Sequence, residues 1–189
     1  MKTFHQTVLC AAFLLCLPAC VSVDDANGLM KPADKGNAEA QYRFGVRYAN
    51  GDGVDEDAEK AVKWFKKAAG QGHAKAQYQL SDYYARGFGS VAEAVKWCRK
   101  AAGQGYAKAQ HKLGMRYHTG DGVRKDATKA VTWFTKAAEQ GYAKAQYRLG
   151  ECYKYGIGVD KDTAEATKWF TKAAEQGDTL AQARLGFRY

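Results

Sequence analysis

Two blocks decide the fold: Ala40-Gln41-Tyr42-Arg43-Phe44-Gly45 and, further on, Lys63-Trp64-Phe65-Lys66-Lys67-Ala68-Ala69. The first returns from Ala76-Gln77, Ala109-Gln110, Ala145-Gln146 and Ala181-Gln182, at offsets of 76 − 40 = 36, then 33, 36 and 36. The second returns at Trp97, Trp133 and Trp169 with the same rhythm, so every tryptophan of the chain holds one repeat position. A fixed period of this length marks a repeat array, and it governs every later reading.

Each unit reads as two helices. Ala40, Gln41, Phe44, Gly45 and Tyr48 fall on one face of a 3.6-residue helix. Asn50-Gly51-Asp52-Gly53-Val54 ends it, since closely spaced glycines supply the positive φ of a turn. The second helix runs from about Asp57 to Gln71, with Ala61, Trp64, Phe65, Ala68 and Ala69 as its apolar stripe. Gly45, Gly114, Gly150 and Gly186, with Ser81 in the second unit, fall inside first helices. A glycine there costs about 1 kcal/mol relative to alanine, so its recurrence predicts close approach of the two helices. One helix pair cannot cover its own apolar face, so the units must stack.

Composition agrees. Hydrophobic residues make up 46% and charged residues 26% of 189, with two prolines, which places the chain among helical globular proteins. Collagen, a multi-span membrane protein and a disulfide miniprotein are excluded. The net charge of 29 − 20 = +9 favours solubility and attraction to anions, and says nothing about fold. Ten of the 17 lysines within the repeats fall on the second helices, which reads as a solvated outer face and not as a nucleic-acid surface.

The pattern A-Q-x-x-L-G-x-x-Y, G-x-G-V and W-x-x-K-A-A-x-Q-G resembles the Sel1-like repeat family, relatives of the tetratricopeptide repeats. The resemblance implies an all-α, right-handed α-solenoid of stacked antiparallel helix pairs. The units would be 38–73, 74–106, 107–142 and 143–178, with a half-repeat over 179–189, in a solenoid spanning 37–189. Two departures stand out. The second unit reads Arg86-Gly87-Phe88-Gly89-Ser90, losing three residues and the Gly-Val of the turn. The fifth stops at Tyr189, either as a lid on the fourth pair or as part of a longer array.

Ahead of the repeats, Met1-Lys2 and the ten-residue apolar run Val8 to Leu17 suit a secretory signal over 1–19 and are too short to span a bilayer. Leu17-Pro18-Ala19-Cys20 resembles a bacterial lipobox, which implies cleavage before Cys20 and its lipidation. An ordinary signal cut near Ala19 is the alternative. Residues 20–36 would form a polar tether. The expected location is extracytoplasmic and membrane-anchored, and Val21 after the cysteine favours an outer membrane by family analogy.

Catalytic signals are sparse. No G-x-S-x-G, S-x-x-K, H-E-x-x-H or C-x-x-C occurs. Some cysteine-rich Sel1-like proteins have been described as acting on β-lactams, with paired cysteines in each unit. Here Cys98 takes the slot of Phe65, Phe134 and Phe170, while Cys152 matches Arg47, Tyr83 and Arg116. They fall in different units, too far apart to pair. His111, Met115 and His118 share one helix face, yet a metal site draws ligands from several elements. No catalytic residue, cofactor or metal is expected.

The first helices offer a docking face. In tetratricopeptide-like solenoids they line the concave groove, which would carry Tyr42, Tyr78, His111 and Tyr147, then Val46, Asp82, Met115 and Glu151. Lys75, Lys108 and Lys144 precede the repeat alanines, where the first unit has Glu39. Tyrosines give large contact area at low entropic cost, and lysines favour carboxylates or phosphates. This predicts a groove for an extended peptide or other anionic chain, against the plainer reading of tyrosines packing between units. The family implies a non-enzymatic protein-binding adaptor. A cell-wall enzyme and a toxin-binding immunity protein are the alternatives.

Overall fold

The computed structural model describes residues 30–186, and every regular element among them is helical. The signal segment, Cys20, the start of the tether and Tyr189 lie outside the described residues. In chain order the helices are α1 (Ala38–Asn50), α2 (Ala58–Gly70), α3 (Ala74–Tyr83), α4 (Val91–Gly103), α5 (Ala107–Thr119), α6 (Ala127–Glu139), α7 (Ala143–Tyr155), α8 (Thr163–Glu175) and α9 (Thr179–Leu185). Each odd-numbered helix packs on the next even one, and each even one on the first helix of the following unit, building a solenoid of stacked helix pairs.

Residue choice explains the boundaries. Asp57, Asp126 and Asp162 N-cap the second helices α2, α6 and α8 through their carboxylates. Ser90 caps α4 with a full capping box to Glu93. Within each unit the expected nesting is observed. A Cβ built on Gly45 would stand 2.7 Å from the Phe65 ring, one on Gly114 2.6 Å from Phe134, and one on Gly150 2.7 Å from Phe170. These phenylalanines are buried, so the ring occupies the space of the missing side chain. The second unit exchanges the pair: Ser81 and Cys98, both fully buried, replace glycine and phenylalanine. Small against large has become medium against medium.

Gly186 departs from its siblings. It caps α9 in the left-handed conformation (φ 77°), and nothing approaches its Cβ position. Among the described residues no second helix follows α9 for it to nest against.

Each tryptophan lies under the lysine three residues later. Lys67, Lys100, Lys136 and Lys172 hold their ammonium groups 4.0, 4.5, 4.6 and 4.6 Å from the rings of Trp64, Trp97, Trp133 and Trp169. The W-x-x-K element is therefore a cation–π pair over an indole that is buried (Trp64, Trp169) or half-buried (Trp97, Trp133). It also explains why so many lysines sit on the second helices.

A relay of glutamines joins the units, and the sequence reading did not foresee it. Gln41, Gln77, Gln110 and Gln146 are buried. Their Nε2 groups donate to the carbonyls of Ala33, Ala69, Ala102 and Ala138 in the preceding unit, at 3.0, 3.1, 3.3 and 3.1 Å. Their Oε1 atoms accept from Gln71, Gln104, Gln140 and Gln176, each at 2.7 Å. One side chain thus ties three helices and satisfies its own buried polar atoms.

The relay begins before the first unit. Residues 30–34 are helical, Ala33 is fully buried against Ala40, Phe44 and Trp64, and Gln41 bonds its carbonyl. Residues 30–36, expected as the end of the tether, thus copy the last turn of a second helix. The three-residue deletion in the second unit is absorbed by a π-helical turn, Tyr84–Phe88, where Gly87 takes φ 110°. Phe88 packs edge-on to Tyr83 at 5.5 Å in place of the lost loop.

Candidate functional site

The aromatic residues expected on the docking face are bound into the packing. Tyr42 stacks on His73 (4.7 Å), Tyr78 meets Tyr106 edge-on (5.4 Å), and His111 meets Tyr142 (5.3 Å). His73, Tyr106 and Tyr142 all hold the N-cap position of a first helix. The ladder therefore has paired rungs, each joining one first helix to the N-cap of the following first helix. Its second rail recurs beside a glycine in the sequence, but a one-helix periodicity could not place it. Burial lifts the phenols of Tyr42, Tyr78, Tyr106 and Tyr142 above their usual pKa. Tyr106 also feels Tyr42 and Tyr142, each in a different unit.

Exposure differs along the ladder. Tyr42, Tyr78, His111 and Met115 are half-buried, whereas Tyr147 is buried, its hydroxyl donating to Glu151 at 2.8 Å. Lys75, Lys108 and Lys144 are exposed. Among the described residues none of the three forms an ion pair, while Glu39, their counterpart, binds Arg43 (2.8 Å) and His73 (2.9 Å). His73 accepts the Ala76 N–H at Nδ1, so its Nε2 carries the proton given to Glu39.

Asp82 and Glu151 are not free groove carboxylates. Asp82 pairs with Lys112 of the next unit, and Glu151 accepts from Arg148 (2.9 Å) and Arg184 (3.2 Å). An acid of one first helix receiving a base from the next fixes the register between units. Arg116 is buried, with one guanidinium nitrogen 2.9 Å from the Asp121 carboxylate.

The thiols and the His111, Met115, His118 trio show little reactive chemistry. Cys98 and Cys152 are buried and unpaired, and burial pushes both thiols up to about 11. They are protonated at neutral pH and poor nucleophiles. His111 packs on Phe134 (5.8 Å) and Tyr142, while His118 lines a separate hollow. Among the described residues no group of three His, Cys, Asp or Glu side chains could hold a metal.

Burial, aided by Arg148 and Lys144, pushes the His111 imidazole down to about 4. The unfolded chain, with a histidine near 6.5, therefore binds more protons between pH 6.5 and 4. Stability is present above pH 6.5 and is lost as the pH falls toward 4, by on the order of 1–2 kcal/mol at pH 5. Chemical denaturation at pH 7 and 5 measures this. His111→Tyr, copying the sibling rungs, should remove most of the difference; an unchanged difference in that variant refutes the assignment.

The Sel1 repeat model matches residues 38–73, 74–106, 107–142 and 143–178. Among solved structures, the chain is similar to c5321, a protective antigen of uropathogenic Escherichia coli with an SLR fold. That match has 41% identity and a TM-score of 0.82, covering 85% of this chain and 35% of the antigen. A Sel1 repeat protein from Oxalobacter formigenes follows at 38% identity and TM-score 0.81, covering 86% of this chain and 48% of that one. Cysteine-rich protein B of Helicobacter pylori matches at 26% identity and TM-score 0.56, covering 70% of this chain and 98% of that one. The chain thus spans less than half the length of the first two. No curated protein matches. With four matched units, the glycine–phenylalanine nesting and these structural relatives, the chain belongs to the Sel1 repeat family.

Proposed function

We propose that this solenoid is a non-enzymatic adaptor of the bacterial cell envelope, anchored through a lipid on Cys20 and binding a protein partner across its inner face. The observation that carries the reading is the run of bridged aromatic rungs bordered by exposed Lys75, Lys108 and Lys144. Rings already fixed by packing lose little entropy on binding, and unpaired ammonium groups beside them draw an acidic segment. The aromatic edges would supply affinity and the lysines steering, so the partner is a protein or peptide with carboxylates in an extended stretch.

A photo-crosslinking residue at Lys75 or Lys108, and at Lys96 on α4 as an outer-face control, tests this in intact cells. The adaptor reading expects one discrete adduct from both inner positions and none from Lys96. Equal labelling from Lys96, or no adduct from either inner position, refutes it. Fractionation tests the anchor independently, since Cys20→Ser should move the protein from the membrane to the soluble envelope fraction.

A further inference from the structure

The second helices carry charge unevenly along the array. On α2 and α4 together, seven Lys and Arg against two Glu give 7 − 2 = +5. On α6 and α8, four against three give 4 − 3 = +1. The difference arises at a few matched positions. Lys66 and Arg99 become Thr135 and Thr171 in the later units. Lys63 and Lys96 become Thr132 and then Lys168, whose ammonium Glu165 holds at 2.9 Å. The loop of the third unit changes sign in the same direction. Arg124 stands where the first and fourth units have Asp55 and Asp160, and Lys125 stands where the first has Glu56. Lys63, Lys66, Lys96, Arg99, Arg124 and Lys125 are exposed, and among the described residues none of them forms an ion pair.

Three of these cations meet because the third unit's loop is laid along α4. A Cβ on Gly122 would stand 2.5 Å from Val91 and 2.9 Å from Val95, so the glycine lets the loop lie against the start of that helix. One turn beyond Val95, Arg99 shares a hollow of about 360 Å³ with Arg124, Lys125, Lys129 and Tyr117. Arg99 also donates to the Tyr117 hydroxyl at 3.3 Å. Asp126, the one acid in the wall, is already engaged. Its carboxylate holds the Lys129 ammonium and accepts the Lys129 backbone N–H, both at 2.9 Å. Arg99, Arg124 and Lys125 therefore border the hollow without a counter-charge. Lys63 and Lys66 hold on α2 the places of Lys96 and Arg99 on α4, so stacking lines them up on the same side. At the turn that the second unit shortens, Phe88 and Val91 add large apolar side chains that are 41% and 49% exposed.

Exposed apolar side chains beside unpaired cations suit an anionic bilayer, where the cations meet lipid phosphates and the apolar groups enter between headgroups. A soluble polyanion would use the cations alone. The nearness of a bilayer rests on the anchor proposed above. Met30 stands 30 − 20 = 10 residues after Cys20, and ten residues span at most about 35 Å. We propose that the exposed side of α2, α4 and the third unit's loop docks on an anionic lipid surface, with a lipid phosphate seated among Arg99, Arg124 and Lys125. The contact gives the anchored array a fixed orientation on the membrane. The aromatic rungs with Lys75, Lys108 and Lys144 belong to the first helices and stay open to a protein partner.

The test uses the Cys20→Ser protein, which has no acyl chain, and reads co-sedimentation with vesicles. One set is phosphatidylcholine alone and reports any attraction that is not electrostatic. The other is phosphatidylcholine and phosphatidylglycerol in equal parts. Partition into the anionic set should be at least about tenfold stronger at low salt, and the preference should vanish at high salt. Lys96→Gln, Arg99→Gln and Arg124→Gln together should lower it at least about tenfold. Lys75→Gln, Lys108→Gln and Lys144→Gln together remove the same charge from the first helices and should leave it within about twofold. Phe88→Ser with Val91→Ser should weaken the partition and keep its salt dependence. Circular dichroism checks that each variant keeps its helicity, as exposed substitutions should. Equal weakening by the two triple variants would mean attraction to net charge alone and overturns the face. Capture of soluble inorganic polyphosphate with no partition into anionic vesicles would give the cations another ligand and also overturns it. The anchor is judged separately, by washing cell membranes at high salt. Unaltered protein stripped by that wash removes the anchor, whereas vesicle partition decides this face.

Discussion

Substituting Gly114→Ser together with Phe134→Cys should cost far less stability than the two single changes added. Each single change breaks a close fit. Gly114→Ser places a Cβ 2.6 Å from a ring that is buried and cannot retreat, an overpacking of about 1–3 kcal/mol. Phe134→Cys leaves most of a phenyl ring's volume empty, and large-to-small core changes of this kind cost about 3–5 kcal/mol. Made together they reproduce the Ser81–Cys98 arrangement that the second unit already carries fully buried. The added hydroxymethyl group then enters the space the ring has left, so the coupling energy should reach about 2 kcal/mol. Urea denaturation of the four proteins closes the cycle. Additivity within about 0.5 kcal/mol would mean that the nesting contact does not set the fit between paired helices.

That cycle also marks the boundary of what the primary structure discloses. Gly45, Gly114 and Gly150 could be read as points of close approach because an interior helical glycine is costly without one. The rings that fill those points stood in the same repeat, and Ser81 and Cys98 could each be seen to replace a sibling residue. Their mutual compensation could not, because it depends on which residues of two helices face each other. The partners of Asp82 and Glu151 could not be read for the same reason: a face drawn for one helix does not show that the next unit brings Lys112 and Arg184 to meet them. Residues 30–36 were hidden differently. They carry no tryptophan and only a fragment of the repeat, and their register appears when Gln41 reaches the Ala33 carbonyl.

The family likeness explains the scaffold, while this chain's individuality lies where its units disagree. A regular solenoid would present the same groove at each junction. Here Tyr83, Arg116 and Cys152 fill one repeat position with three different volumes, and His111 interrupts a row of tyrosines. The first difference gives three junctions three different fits, and the second places a neutral imidazole beside two cations. Binding specificity in a repeat protein can arise from such local exceptions without disturbing the stacking, because each unit contacts only its neighbours.

The glutamine relay predicts the other large effect. Gln110 is buried, donates to the Ala102 carbonyl at 3.3 Å and accepts from Gln140 at 2.7 Å. Gln110→Leu keeps the approximate volume and loses both bonds, while the Ala102 carbonyl keeps the Gly105 N–H at 3.0 Å, so the cost is about 0.5–1.5 kcal/mol for each bond lost. Gln110→Glu should be worse at neutral pH, although it changes only one group. The introduced carboxylate cannot donate to Ala102, so two acceptors face each other and a charge is buried with only Gln140 to offset it. About 3 kcal/mol is expected. The pH dependence separates the two variants. Burial raises the introduced group's folded pKa above its unfolded value near 4.3. The folded form then binds the extra proton, so the variant's deficit is small below pH 4.3 and grows as the pH rises through the folded pKa. Referencing each variant to the unaltered protein at the same pH cancels the His111 contribution. The deficit of Gln110→Leu should stay flat from pH 4 to 8 while that of Gln110→Glu widens. Equal, flat deficits would show that the amide N–H is dispensable and that side-chain volume alone holds adjacent units in register.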